Sequence, residues 1–129
     1  MYTNTNMTIY NKYTNITTKK TTYKKHLIDN VFWDDSLQIK INNGNDNNDK
    51  VQVFIPKNKN DMSKYIESIN YNGEGWTVQN GDYIVKGNCN KSEIETISEL
   101  SNYNVFKVTN FDDKDYGSKN MHHFEIRGN

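Results

Sequence analysis

Apolar and polar residues alternate in short bursts along this chain, and the bursts are separated by clusters of Asn, Asp, Gly and Lys. A two-residue period of that kind places one set of side chains on one face of a strand and the other set on the opposite face. Met7, Ile9, Asn11 and Tyr13 alternate with Thr8, Tyr10 and Lys12, which predicts a first strand over Met7 to Tyr13. A second runs from about Tyr23 to Trp33, and a short third spans Leu37 to Ile41, where Leu37, Ile39 and Ile41 share a face. Val51, Val53 and Ile55 alternate with Gln52 and Phe54 until Pro56 withholds a backbone donor and stops the strand. Val105 to Phe111 and His122 to Arg127 carry the same signature, the latter with Phe124 and Ile126 on one face.

Between these strands, Asn80, Gly81 and Asp82 form the clearest turn signal. Asn-Gly tolerates positive φ, so a two-residue type I′ turn is expected to join Trp76–Gln79 to Asp82–Lys86 as a hairpin. One short α-helix is signalled where Ser92 can cap, Glu95 follows three residues later, and Ile94, Ile97 and Leu100 form a stripe. Met62, Tyr65, Ile66 and Ile69 add a turn or two at helical spacing within Asp61 to Ile69. The sum is a mainly β chain, a small antiparallel β-barrel or β-sandwich with one short α-helix, in a single β-rich domain over residues 1–129. Residues 1–6 read as a flexible arm. Asn42, Asn43, Gly44, Asn45, Asp46, Asn47, Asn48, Asp49 and Lys50 carry no apolar side chain and read as a long mobile loop.

Composition narrows the picture. Only 33% of the 129 residues are hydrophobic, there is no alanine, and mean hydropathy is -1.00, so 9 Tyr, 5 Phe and 2 Trp must supply much of the buried area. Aromatics in the strands, among them Tyr10, Phe32, Trp33, Phe54, Trp76, Tyr83, Phe106 and Phe124, are therefore expected to serve the core. The abundance of Asn, Lys, Ile and Tyr is what an AT-rich genome imposes, and the Asn tracts read first as loop filler. Sixteen basic residues balance 16 acidic ones, which removes the strong positive field of an autonomous nucleic-acid binder. Lys12, Lys19, Lys20, Lys24 and Lys25 nonetheless load the first part of the chain, and Asp112, Asp113, Asp115 and Glu125 the last.

Candidate chemistry is sparse. Cys89 is the only cysteine, so no internal disulfide or cysteine-cluster zinc site can form, and an intracellular folding compartment is expected. Adjacent His122 and His123 point to opposite faces of a strand, and His26 is distant in sequence. Asp112, Asp113 and Asp115 before Gly117 fail the spacing of a calcium loop, as do Asp46 and Asp49. No Gly-x-Ser-x-Gly elbow or phosphate-cradling loop occurs. No apolar run reaches bilayer length, and Met1 to Thr8 lacks the regions of a signal peptide. These readings anticipate no catalytic residue, no metal, no cofactor and no membrane.

The order of segments carries a resemblance. Thr8-Ile9-Tyr10-Asn11-Lys12, Tyr23-Lys24-Lys25-His26, Val31-Phe32-Trp33, Val51 to Pro56, the stretch Asn80 to Gly87, Val105 to Val108 and His122 to Ile126 are similar, as a series, to the small minor capsid or neck proteins of tailed phages of low-GC Gram-positive bacteria. Within that group the chain most resembles head-completion proteins of the stopper type. The Gly-Asp-x-Ile-Val-x-Gly stretch Gly81 to Gly87 is typical of them.

The resemblance implies a homo-oligomeric ring in the virion neck, assembled in the host cytoplasm, with portal and adaptor above, tail terminator or tail tube below, and packaged DNA passing through the channel. The 42–50 segment is the channel-facing candidate. Tail-terminator and minor capsid roles stay open under the same resemblance, and a small β-barrel that binds nucleic acid is the reading from a different class.

Overall fold

The computed structural model describes residues 2–36 and 49–129. The predicted third strand, Leu37 to Ile41, and residues 42–48 of the predicted loop lie outside the described residues. Seven strands are described: β1 (Thr5–Thr14), β2 (Thr21–Asp34), β3 (Val51–Pro56), β4 (Tyr83–Lys86), β5 (Glu93–Ile94), β6 (Val105–Lys114) and β7 (His123–Gly128). The fold is mainly β, as the alternation predicts, and every ladder between these strands is antiparallel.

The ladders form a closed cycle. Around it the order is β1, β4, β6, β7, β3, β2 and back to β1, with β5 attached outside on β2. Two long strands make closure possible by bending and serving both halves. β2 pairs with β5 through Tyr23 and Lys24, then with β3 through Phe32, Trp33 and Asp34. β6 pairs with β4 through Val105–Lys107 and with β7 from Val108 onward, with a register shift between Val108 and Asn110. Such irregularities let a strand turn a corner between two packed sheet regions.

Alternation fixes which faces meet inside. β3 buries Val51, Val53 and Ile55, and β7 buries Phe124 and Ile126, so both present their apolar set to an interior shared with Met7, Ile9, Val31, Trp33, Trp76, Ile84 and Phe106. β1 departs from simple alternation, because residues 7–11 are all buried. Its second face lies beneath the segment that follows β4, where Tyr10, Val85, Cys89, Ile94 and Leu100 form a smaller cluster. Thr8 sits at that seam: its Oγ1 donates to Gly87 O at 2.8 Å and accepts from Cys89 N at 2.9 Å.

Several local expectations are corrected. The short α-helix is a single 3₁₀ turn, Ile97–Leu100, and the Ser92 to Glu95 cap does not form because Glu93–Ile94 is drawn into β5. The capping box lies one turn later, where the Glu99 side chain accepts from Thr96 N at 3.1 Å. The helical spacing in Asp61 to Ile69 also yields no α-helix. Met62 and Tyr65 pack on the core from an irregular segment, Ser68–Asn70 is a 3₁₀ turn, and Ile69 is 87% exposed.

At Asn80-Gly81 the turn exists but the hairpin does not. Gly81 has φ 95 while Asn80 is not left-handed, and Asp82 N donates to Gln79 O at 3.1 Å, which is a type II turn and not type I′. The reason is tertiary: Gly81 N donates to Val108 O and Val108 N to Asp82 O, both at 2.8 Å, so the turn docks on β6. Of the arm read at residues 1–6, Thr5 and Asn6 open β1. Asn4 clasps β2 through its backbone N to Val31 O and its side chain to both backbone groups of Trp33.

Candidate functional site: an outward aromatic row and a projecting hairpin

β2, β3 and β7 turn one face inward, and their other face carries a row of rings. Phe32 lies directly opposite Phe54 in the β2–β3 ladder, with centroids 6.0 Å apart. Tyr2 extends the row at one end, 5.6 Å from Phe32, and His123 at the other, 5.7 Å from Phe54. Phe32, Phe54 and His123 are half-buried by one another, and Tyr2 is 70% exposed. The expectation that Phe32 and Phe54 serve the core is thereby corrected. They are out of phase with Val31, Trp33, Val53 and Ile55, and the two-residue period sends them outward.

A polar border runs beside the rings. Glu125 accepts from Gln52 Nε2 at 2.9 Å and pairs with Lys114 at 2.7 Å, and His123 Nε2 lies 3.7 Å from it. Burial works against ionisation of Glu125, but the bond and the charge of Lys114 outweigh it and hold the carboxyl below its ordinary range. On the next part of the surface, Lys57 Nζ bridges Asp113 and Asp115 at 2.7 and 2.6 Å and lies over the Phe124 ring at 4.7 Å. Of the three aspartates that precede Gly117, Asp112 and Asp113 thus lie on β6 and Asp115 just after it, and one lysine pairs with two of them.

The second feature is a hairpin. β1 pairs with β2 out to Thr14 opposite Thr21, whereas β4 covers β1 only up to Tyr10. The pair therefore continues past the sheet and ends in the loop Asn15–Lys20. Asn15 organises that loop, its Oδ1 accepting from Thr17 N and Thr18 N, and Lys19 adopts φ 59. Ile16 stands at the tip, 90% exposed. Of the lysines that load this region, Lys20 and Lys24 pair with Glu95 and Glu93 on and beside β5.

The groups weighed for chemistry are dispersed. Cys89 is fully buried in the smaller cluster. His122 is 3.6 Å from Asp115 at the surface, and His123 is in the aromatic row. His26 stacks on Trp76 at 5.4 Å in a hollow of about 210 Å³ also lined by Asp29, Asn60, Asp61 and Lys64. Burial, helped by Lys64, lowers the His26 pKa. Among the described residues, no three of the His, Cys, Asp and Glu side chains gather as metal ligands, and no helix is long and apolar enough to cross a membrane.

Of the predicted channel-facing segment, Asp49 and Lys50 are described: Asp49 accepts from Thr109 Oγ1 at 2.6 Å, and Lys50 N donates to Gly128 O at 2.7 Å. Both are tied to the sheet. Of the predicted turn residues, Asn80 is exposed while Asp82 is fully buried. Asp82 is where sequence reasoning fell furthest short. It accepts from Asn11 Nδ2 at 2.8 Å, Lys12 N at 2.9 Å and Gln79 N at 3.0 Å. Burial still dominates those bonds and pushes its pKa up to about 6. The only hint in the sequence was Asn11, a polar residue in phase with Met7 and Ile9.

No curated protein and no solved structure matches the chain. A family model matches residues 2–129, which takes in every strand of the closed cycle, the aromatic row and the hairpin. The chain belongs to that family, described as a family of unknown function (DUF6751).

Proposed function

We propose that this chain is a structural subunit of the tailed-phage neck, a head-completion protein of the stopper type that forms a ring below portal and adaptor. In that role it meets a tail terminator or the tail tube below, and packaged DNA passes along the channel. The observation that carries the reading, beside the resemblance in segment order, is the outward row Tyr2, Phe32, Phe54 and His123 on a sheet face that a lone globule has no reason to line with rings. A heterologous contact that closes into a ring would cover such a face on every copy. The hairpin that ends at Ile16 supplies a lever that reaches beyond the sheet toward a neighbour.

The test is assembly. Purified protein, alone and mixed with the portal and adaptor of the same particle, is examined by light scattering and electron microscopy. Rings or added density beneath the adaptor are expected. A protein that stays monomeric and leaves the portal complex bare would sink the assignment, and tight, salt-sensitive oligonucleotide binding by that monomer would move it to the nucleic-acid class.

A further inference from the structure

The described residues hold two Asn-Gly pairs, Asn72-Gly73 and Asn80-Gly81, and the fold treats them oppositely. Asparagine before glycine is the pair in which the following backbone nitrogen meets least steric resistance when it attacks the side-chain carbonyl. Two things govern that attack in a folded protein: whether the nitrogen is free, and whether the carbonyl is activated.

At Asn80 the nitrogen is engaged, since Gly81 N donates to Val108 O at 2.8 Å inside the turn that docks on β6. At Asn72 the Gly73 N–H has no such partner among the described residues. The Asn72 side chain is held in an Asx turn, its Oδ1 accepting from Glu74 N at 3.1 Å. That bond keeps the side-chain carbonyl folded over its own following peptide. It also places a backbone N–H where negative charge develops on the oxygen during attack, the arrangement that stabilises tetrahedral intermediates of acyl transfer. Asn72 is exposed, so water and hydroxide reach it.

We propose that Asn72 is a built-in site of spontaneous deamidation and that Asn80 is protected. The Gly73 nitrogen gives up its proton to solvent base and bonds to Asn72 Cγ. The C–N bond of the side-chain amide then breaks, its nitrogen takes a proton back from solvent and leaves as ammonia, and the ring that remains is a succinimide. Water opens the ring at either carbonyl, giving aspartate or isoaspartate. The product adds a negative charge beside Gly73, whose Cα faces the Tyr13 ring closely enough that an added Cβ would lie 3.2 Å from it. The event is thus registered on the projecting hairpin, beside Tyr13, and it stands independently of the neck assignment.

The experiment incubates the folded protein at mildly alkaline pH in heavy-oxygen water and maps it after cleavage at glutamate. Cutting after Glu67 and Glu74 separates Asn72, on residues 68–74, from Asn80 on the following peptide. Heavy oxygen is expected at Asn72 at least about tenfold faster than at Asn80, the scale set by keeping one hydrogen bond intact against the reaction. In urea the two rates are expected to converge. Equal rates in the folded protein, a faster Asn80, or an Asn72 that stays intact while the unfolded chain reacts would each overturn the proposal.

Discussion

Asn11 and Asp82 meet in the interior, Asn11 Nδ2 donating to Asp82 Oδ2 at 2.8 Å, in a place where neither side chain touches water. Asn11 also clasps the backbone of Thr77 in both directions, donating to its carbonyl at 2.6 Å and accepting from its N–H at 3.1 Å. One amide on β1 therefore fixes the strand-like run that begins at Trp76 and, through Asp82, the turn that leads into β4. This is tertiary stapling by side chains in place of a ladder, and it explains how residues 76–79 hold their position without pairing to β4.

The buried carboxylate makes stability depend on pH. Asp82 has its pKa raised from 3.8 to about 6 by burial, so the folded state holds its proton more tightly than the unfolded chain does. The contribution is fully present below the unfolded value and is lost as pH rises through the folded one. Its size over that window is about 3 kcal/mol. Urea denaturation of wild type and Asp82→Asn from pH 3.5 to 7.5 checks this: the stability difference between the two is expected to change across the window in favour of the variant as pH rises. A constant difference would refute the assignment.

Asn11→Ala is expected to destabilise the protein by about 3 kcal/mol, because it strands both backbone groups of Thr77 and removes one donor from a buried carboxylate. Asn11→Asp makes the sharper test. It sets a second carboxyl against Asp82, and two such groups cannot both ionise at hydrogen-bond distance. Its melting temperature is expected to recover as the pH is lowered, opposite to the usual acid loss.

Two glycines with similar backbone angles separate strain from space. Gly75 has φ 72 and Gly117 φ 70, yet an added Cβ would lie 2.3 Å from Lys64 O at Gly75 and meet nothing within 4 Å at Gly117. Gly117→Ala is expected to cost about 1 kcal/mol, the left-handed strain alone. Gly75→Ala is expected to cost at least about 3 kcal/mol, since it also forces apart the Tyr65–Trp76 bridge region. Chemical denaturation of the pair decides it.

Lys57 combines two carboxylates and a ring. Lys57→Met keeps the aliphatic stem but loses the charge, at an expected cost of about 1 kcal/mol that shrinks in high salt. The bond from Lys57 holds Asp115 below its ordinary pKa. Its contribution is therefore present above the unfolded value and lost as the pH falls through the folded one. Wild type and variant are expected to converge in acid, read by thermal melting at two pH values.

The strands were legible because β3 and β7, and β6 as far as Val108, keep a two-residue period that a single packed face imposes on sequence. Alternation even placed Phe54 outward, although a chain short of aliphatics argued for burying every ring. What the pattern could not carry was the partner of each strand. Glu93–Ile94 reads as the start of a helix until β2 captures it, and Asn80-Gly81 reads as a hairpin until Val108 takes the turn. Asp82 was legible only as a turn residue, since its burial depends on Asn11, which lies 71 positions away.

Closure of the strand cycle has a kinetic side. Met7 faces Lys86 across β1 and β4, so this seam joins segments from near the start and well past the middle of the chain. The entropy of so long a loop is surrendered before that seam returns any stabilisation, which makes it a late and slow event. Until it forms, both strands offer bare edges to any other molecule in reach. Refolding yield is accordingly expected to fall steeply as concentration rises, while among the described residues the finished cycle leaves the two-residue β5 at its margin.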